Sequence, residues 1–175
     1  MELVIATSAG LDDGTVSALR RLWATAFDGF SDDDADHAFG GVHVLLRDGS
    51  TVLAHASAVP RTIRVGEQAF ATGYVEAVAA LPGHQGCGLG TRVMRALEPE
   101  LRRRWSFGVL ATGAHGFYER LGWERWRGPS YVLTAQGPVR SLEEDDALMV
   151  LRFGPSRGAD LSAAITCEDR PGDAW

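Results

Sequence analysis

Apolar residues recur along this chain with two different periods, and the changes of period mark out its elements. Residues 2–6 read as a short opening strand, and from Thr15 the residues Val16, Leu19, Leu22, Trp23, Ala26 and Phe27 recur at helical spacing, predicting an amphipathic helix. Ser31 followed by Asp32, Asp33 and Asp34 predicts a second helix, with Ser31 as its cap, acids opposing the macrodipole, and Gly40-Gly41 as its end. VHVLL, TVLAHASAV, RTIRV and a run from Ala69 to Leu81 are β-rich, with turn signals at Asp48-Gly49 and Gly66-Glu67, and predict an antiparallel meander. The helical period returns at Gly88 with Leu89, Val93, Leu97 and Leu101, and ends in Arg102, Arg103 and Arg104, where cations suit the dipole. Pro99 inside this helix predicts a kink or a shortening. FGVLAT reads as a strand, HGFYERLG as a short helix, and WERW, SYVLTA and ALMVLRF as closing strands. That order predicts an α/β domain with a mixed central β-sheet flanked by helices, the strand before the long helix lying in its interior. Gly154–Gly158 and the last few residues are the segments expected to be loosely ordered.

Composition narrows the function. With 175 residues and 45% hydrophobic content the chain can bury one substantial core, so a single domain over residues 1–175 is expected. Its 23 acidic against 17 basic residues, net −6, argue against nucleic acid as a partner and suit a cationic small molecule, although the same balance also serves plain solubility. Cys87 and Cys167 are too few for a disulfide framework and lack the paired spacing of a zinc site, so no metal is expected and a reducing cytoplasm is the natural location. The N-terminus has no basic region before a signal-like apolar run, and no stretch is long enough to span a bilayer, so no membrane partner is expected.

The sharpest local signal is Gln85-Gly86-Cys87-Gly88-Leu89-Gly90, placed directly after a strong strand and opening a strong helix. Small residues there let backbone approach a ligand, and helix N-terminal amides bind a diphosphate without basic side chains. The spacing is neither the dinucleotide-binding GxGxxG nor a P-loop, since no Lys-Ser/Thr follows the last glycine. Read alone, the hexamer is also compatible with an ordinary glycine-rich turn.

With this loop, the chain resembles the GCN5-related N-acetyltransferases (GNAT superfamily), whose acetyl-CoA loop has the same spacing between a bulged, splayed fourth strand and the helix that follows. The resemblance covers the whole domain. It implies the GNAT fold, acetyl-CoA (coenzyme A) as donor, and Tyr74–Ala80 as the splayed strand. By that similarity the Val78 amide faces the thioester carbonyl, Val78 and Ala80 line the pantetheine, and Gln85, Gly86, Cys87, Gly88, Leu89 and Gly90 hold the diphosphate. Direct transfer from thioester to amine needs a proton acceptor, an oxyanion donor and help for the departing thiolate, but no nucleophilic residue, so Cys87 reads as a small loop filler. Glu76 stands in the apolar strand GYVEAVAAL, where a charge is costly unless it faces a cavity or a partner; the resemblance places it beside the reacting amine as base. Tyr118 in HGFYERLGW matches the family tyrosine near the CoA sulfur, and is assigned as acid toward the thiolate.

Within that superfamily the chain is most similar to the aminoglycoside 2′-N-acetyltransferases, through HAFGGVH, GYVEAVAA, YERLGWERWRG and the closing CEDRPGDAW. The resemblance implies transfer to an aminoglycoside amine, the 2′-amine, with resistance to the drug as the result. It implies that Asp34, Glu76, Glu144, Asp173 and the Trp175 carboxylate surround the drug's ammonium groups, with Trp175 also able to cover a sugar face or a cation and residues 167–175 contributing to the site. Charge-assisted hydrogen bonds suit such a polycation. The chain departs from the family at Asp28-Gly29-Phe30, where Asp28 takes the place of a shifted acid, and at Ala111-Thr112-Gly113-Ala114, which is shorter. Those departures keep open an acetyltransferase acting on another amine, such as kasugamycin, an amino sugar or a polyamine. A protein that binds CoA or the drug without turnover is a third reading, opposed by Glu76 and Tyr118. The oligomeric state stays open, a homodimer included.

Overall fold

In the computed structural model, which describes residues 1–175, the first helix begins ahead of its expected start at Thr15. Asp12 accepts a hydrogen bond from the Thr15 amide at 2.7 Å, and this cap opens α1 at Asp13–Ala26. The chain forms two compact units, Met1–Val59 with Val75–Glu100, and Pro60–Tyr74 with Leu101–Trp175. Strands β3 (Thr51–Val65) and β4 (Gln68–Ala80) run through both. No helix is long and apolar enough to cross a membrane.

In the first unit β1 (Glu2–Thr7) pairs antiparallel with β2 (Val42–Asp48), and β2 pairs with the first half of β3, bringing Val44 opposite Ala56 and Leu45 opposite His55. The apolar face of α1 buries Leu19, Leu22 and Trp23 in a cluster with Ala35, Ala38, Leu45, Val52 and Ala79. Helix α2 (Asp32–His37) carries the expected Ser31 cap, here a full capping box with Asp34. It ends at His37, ahead of the expected Gly40-Gly41. Those glycines serve the next turn: Gly40 is left-handed at φ 96°, and a Cβ on Gly41 would stand 1.9 Å from the Ala58 carbonyl oxygen.

The expected segments TVLAHASAV and RTIRV form a single strand, because the exposed Pro60 between them interrupts one backbone donor without breaking the extended chain. Helix α3 (Leu89–Arg104) likewise runs through Pro99 without shortening. The missing amide removes one backbone bond, while Val93, Leu97 and Leu101 keep one face buried on both sides of it.

The second unit holds a mixed sheet in the order β6-β9-β5-β4-β3-β10-β7-β8, with β4 in the interior as expected. Its further strands are β5 (Phe107–Ala111), β6 (Glu124–Arg125), β7 (Ser130–Thr134), β8 (Gly137–Arg140), β9 (Leu148–Arg152) and β10 (Ile165–Glu168). Parallel ladders join Thr72–Tyr74 of β4 to Phe107–Val109, and β10 to β7; the antiparallel ladders include β5 with β9 and β10 with β3. Gly154–Gly158, expected to be loose, is a short 3-10 helix closed by Ser156, whose hydroxyl bonds both the amide and the carbonyl of Phe153.

Candidate active site

Ala77 interrupts β4 with φ 50°, the left-handed region that costs an L-residue roughly 1–2 kcal/mol. In a regular strand successive carbonyls alternate sides. Here the Ser57 hydroxyl donates to the Glu76 carbonyl at 3.2 Å, and His55 Nδ1 lies 2.9 Å from the Ala77 carbonyl. Two successive carbonyls therefore turn toward the His55 and Ser57 face of β3. All peptide bonds are trans, and a planar trans peptide sets its N–H opposite its C=O, so the amides of Ala77 and Val78 turn the other way. This is the bulge in the fourth strand, and the expected oxyanion donor, Val78, sits on it. Glu76, Ala77 and Val78 are half-buried between the buried Val75 and Ala79.

Behind the bulge a polar line runs through the core of the first unit. His55 Nε2 is 3.0 Å from His43 Nδ1, and His43 Nε2 is 2.8 Å from Ser8 Oγ, which accepts from the Gly40 and Gly41 amides. Burial holds both imidazoles neutral, pushing His43 down to about 4 and His55, which also feels His43, to about 3.

The half-buried Ala80 ends β4, and the loop after it is exposed from Pro82 to Gly88, Gln85 and Cys87 included. Gly83, Gly86 and Gly88 are left-handed, at φ 86°, 75° and 77°, with open space where a Cβ would stand. Leu89 begins α3, and the Arg92 amide returns to the Gly88 carbonyl at 3.1 Å, so Gly88 caps the helix. The amides of the first helical turn have no intrahelical acceptor, and the dipole adds positive potential there. An open, glycine-turned loop leading into that turn fits a diphosphate.

The remaining expected residues of the first unit lie elsewhere in it. Asp28 is exposed in the turn after α1. Asp34 spends one carboxylate oxygen on the capping box, accepting from the Ser31 amide and hydroxyl at 2.8 Å each.

In the second unit Tyr118 sits on the short helix α4 (His115–Glu119), buried edge-on against Phe117 and Trp123. Burial pushes its phenol well above the usual range, so the hydroxyl keeps its proton. Glu144 is raised by partial burial first and then by the charges of Asp173 and Glu143, which places it in the field of two other carboxylates. The segment bearing Glu143 and Glu144 is pinned through Asp145, which pairs with Arg140 and accepts from the Ser130 hydroxyl at 2.9 Å.

The tail, expected to be loose, is held. Arg61 donates to the carbonyls of Ala174 and Glu168, each at 2.6 Å, and Arg170 donates to the Asp173 carbonyl at 2.7 Å and to the Trp175 carboxylate at 3.1 Å. Both guanidinium groups lie over the Tyr74 ring, at 5.0 and 5.5 Å. The Trp175 indole is 4% exposed and donates to Ser141 Oγ at 3.0 Å, so the ring is an anchor inside the unit rather than an open face. Asp173 is exposed and accepts from the Trp175 amide.

The expected residues thus fall into groups. Glu76, Val78, Ala80 and Gln85–Gly90 follow one another along β4 and its loop; Glu144 and Asp173 come together in the second unit, where Tyr118 is also found. Sequence reasoning missed Ser8, His43, His55, Ser57, Arg61 and Arg170. A signal existed for two of them: His55 and Ser57 share one face of an apolar strand in which every neighbour is buried.

Comparison with known proteins gives the family and the fold. The model of the acetyltransferase (GNAT) domain matches residues 10–126. An aminoglycoside 2′-N-acetyltransferase of Mycolicibacterium fortuitum is 40% identical over 173 residues, 96% of this chain and 89% of that protein. Among solved structures, a GNAT family acetyltransferase from Brucella melitensis in complex with acetyl-CoA matches with TM-score 0.64 at 18% identity, covering 94% of each chain. A GNAT family N-acetyltransferase (YhbS) from Escherichia coli in complex with CoA matches with TM-score 0.68 at 15% identity, covering 95% of this chain and 90% of its own. Both share the fold.

Proposed function

This chain belongs to the GNAT acetyltransferases, in the aminoglycoside 2′-N-acetyltransferase family, and on that premise we propose that it moves an acetyl group from acetyl-CoA directly to the 2′-amine of an aminoglycoside. The observation that carries the chemistry is the left-handed Ala77, which turns two adjacent amides out of the β4 ladder just ahead of a glycine-turned helix entrance. Bound acetyl-CoA supplies an acyl group already activated as a thioester.

The chain's own residues do the rest. Amides from Gln85 to Gly90 hold the diphosphate, and β4 from Val78 to Ala80 lies along the pantetheine. The Val78 N–H stabilises the negative charge that develops on the acyl oxygen only as the amine attacks, and one such donor contributes about 3 kcal/mol in acyl transfer. Glu76 takes the amine's proton, directly or through a water. Tyr118, whose proton burial retains, donates a hydrogen bond to the leaving sulfur as its charge grows.

Glu144 and Asp173 receive the drug's ammonium groups, joined by Asp28, Asp34 and the Trp175 carboxylate. Glu144, raised by burial and then by the neighbouring charges of Asp173 and Glu143, gains from a cation because its charge relieves that repulsion. The reaction belongs to the cytoplasm, where acetyl-CoA is at hand, and its cellular result is drug resistance.

The test is thiol release from acetyl-CoA across aminoglycosides with a 2′-amine and others with a 2′-hydroxyl. Turnover confined to 2′-amino drugs supports the proposal. Equal turnover with both classes moves the reaction to another amine, and no release with any drug removes the claim.

A further inference from the structure

The polar line behind the β4 bulge has a direction, and the distances fix it. The Gly40 and Gly41 amides donate to Ser8 Oγ at 2.8 and 3.1 Å, which occupies both lone pairs and leaves the hydroxyl proton to be donated. Its nearest acceptor is His43 Nε2 at 2.8 Å, against 3.4 Å to the Gly41 carbonyl. His43 is then protonated on Nδ1 and donates to His55 Nε2 at 3.0 Å. That leaves His55 with its proton on Nδ1, donated to the Ala77 carbonyl at 2.9 Å.

Tracing from the other end gives the same answer, since a carbonyl oxygen can only accept. The opposite polarity would satisfy the 3.3 Å approach of Trp23 Nε1 to His55 Nδ1, but it would set a nitrogen lone pair against the Ala77 carbonyl oxygen. One polarity satisfies every shorter contact. Both rings are fully buried, and burial keeps them neutral at ordinary pH, so the tautomers persist and no charge forms behind the strand. A histidine pair that served packing alone would need no such alignment.

We propose that His55, locked in its Nδ1–H tautomer by His43 and Ser8, is a positioning residue for acyl transfer: it clamps the Ala77 carbonyl so that the Val78 amide stays turned toward the thioester oxygen. The inference rests on the role of Val78 given above. Ser57 assists by holding the preceding carbonyl. The donors on β3 compensate a backbone conformation that alanine does not favour, and they set the aim of the amide without touching substrate.

The test begins with the 15N-labelled protein free of ligand. Long-range histidine spectra should show His43 and His55 both protonated on Nδ1. His55→Leu removes the donor, whereas His55→Asn restores an N–H close to the position of Nδ1. His55→Leu should move the Val78 amide resonance and lower kcat about tenfold, with the acceptor KM changed by less than about twofold; His55→Asn should recover both. His55 protonated on Nε2, a Val78 resonance unmoved in His55→Leu, or an Asn variant no better than Leu overturns the proposal. The spectra need no turnover, so a protein that acetylates no acceptor would defeat the proposed function while the resonances still decide this inference. Should His55→Leu fail to fold, Ser8→Ala breaks the far end of the line. It should shift the two histidine tautomer populations and the Val78 amide, and unchanged spectra would overturn the proposal.

Discussion

In the bulge of β4 two irregular carbonyls are held by uncharged, fully buried side chains, Ser57 and His55, whereas in the tail three carbonyls and the Trp175 carboxylate are held by the guanidinium groups of Arg61 and Arg170. Both regions have backbone that cannot complete a regular ladder, and both borrow donors from side chains. The choice of donor differs with the task. A neutral donor in a dry core holds one direction without bringing charge near a reacting thioester. A cationic donor makes stronger bonds to a longer segment, but it keeps contact with water and salt. The first arrangement should thus be sensitive to acid, and the second to loss of charge.

Acid is expected to separate them most. An unfolded histidine takes up a proton near pH 6.5, while folded His43 and His55 resist protonation down to about 4 and 3. Between those limits the unfolded chain binds more protons, so stability is complete above pH 6.5 and falls as the pH drops. Each pH unit in that window removes about 1.4 kcal/mol per ring. Urea midpoints at pH 7 and pH 5 should therefore differ clearly, and His55→Asn should flatten the dependence. An unchanged slope in that variant would show that other groups carry the acid sensitivity.

Next in size is the loss of Arg61. Arg61→Ala abandons two charge-assisted bonds to the tail, each contributing about 1.5–3 kcal/mol. The acceptor KM should rise about a hundredfold with little change in the KM for acetyl-CoA, and Arg61→Lys, which lacks the planar fork, should recover only part. Equal effects on both KM values would erase the distinction between tail and bulge.

The smallest effect concerns Glu144. Its pKa is raised by burial, Asp173 and Glu143, so it loses its charge at a higher pH than an ordinary glutamate, and acceptor binding should weaken through that raised pKa. Glu144→Gln should raise the acceptor KM about tenfold, the size of one ion contact, and remove that acid limb from the KM–pH profile. A limb that survives in Glu144→Gln would belong to another carboxylate.

Periodic elements were legible in the sequence. The stripes of α1 and α3, the β-rich run of β2 and the glycines before α3 are local signals, and the structure follows them. Where long-range partners decide, local reading failed. Strand β10 is the four residues ITCE, with no alternation long enough to notice; it exists because β3 and β7 pair with it on either side. The tail read as loose because its donor, Arg61, lies more than a hundred residues away in the chain, a separation of 107 to Glu168 and 113 to Ala174. Trp175 suggested an open aromatic face until Ser141 and its burial showed it facing inward. The loop and strand expected to hold acetyl-CoA could be found from glycine spacing and one misplaced acid. The histidine line could not, since His43, His55 and Ser8 come from three separate segments that only the folded first unit brings together.

The place of β10 between β3 and β7 has a consequence for how the second unit is made. A strand from residues 165–168 completes a sheet begun by residues 51–65, so during synthesis two rows of unpaired backbone stay open while the roughly one hundred residues between them emerge. That interval is when a growing chain is most exposed to mispairing with its neighbours, and when a chaperone would have most to shield.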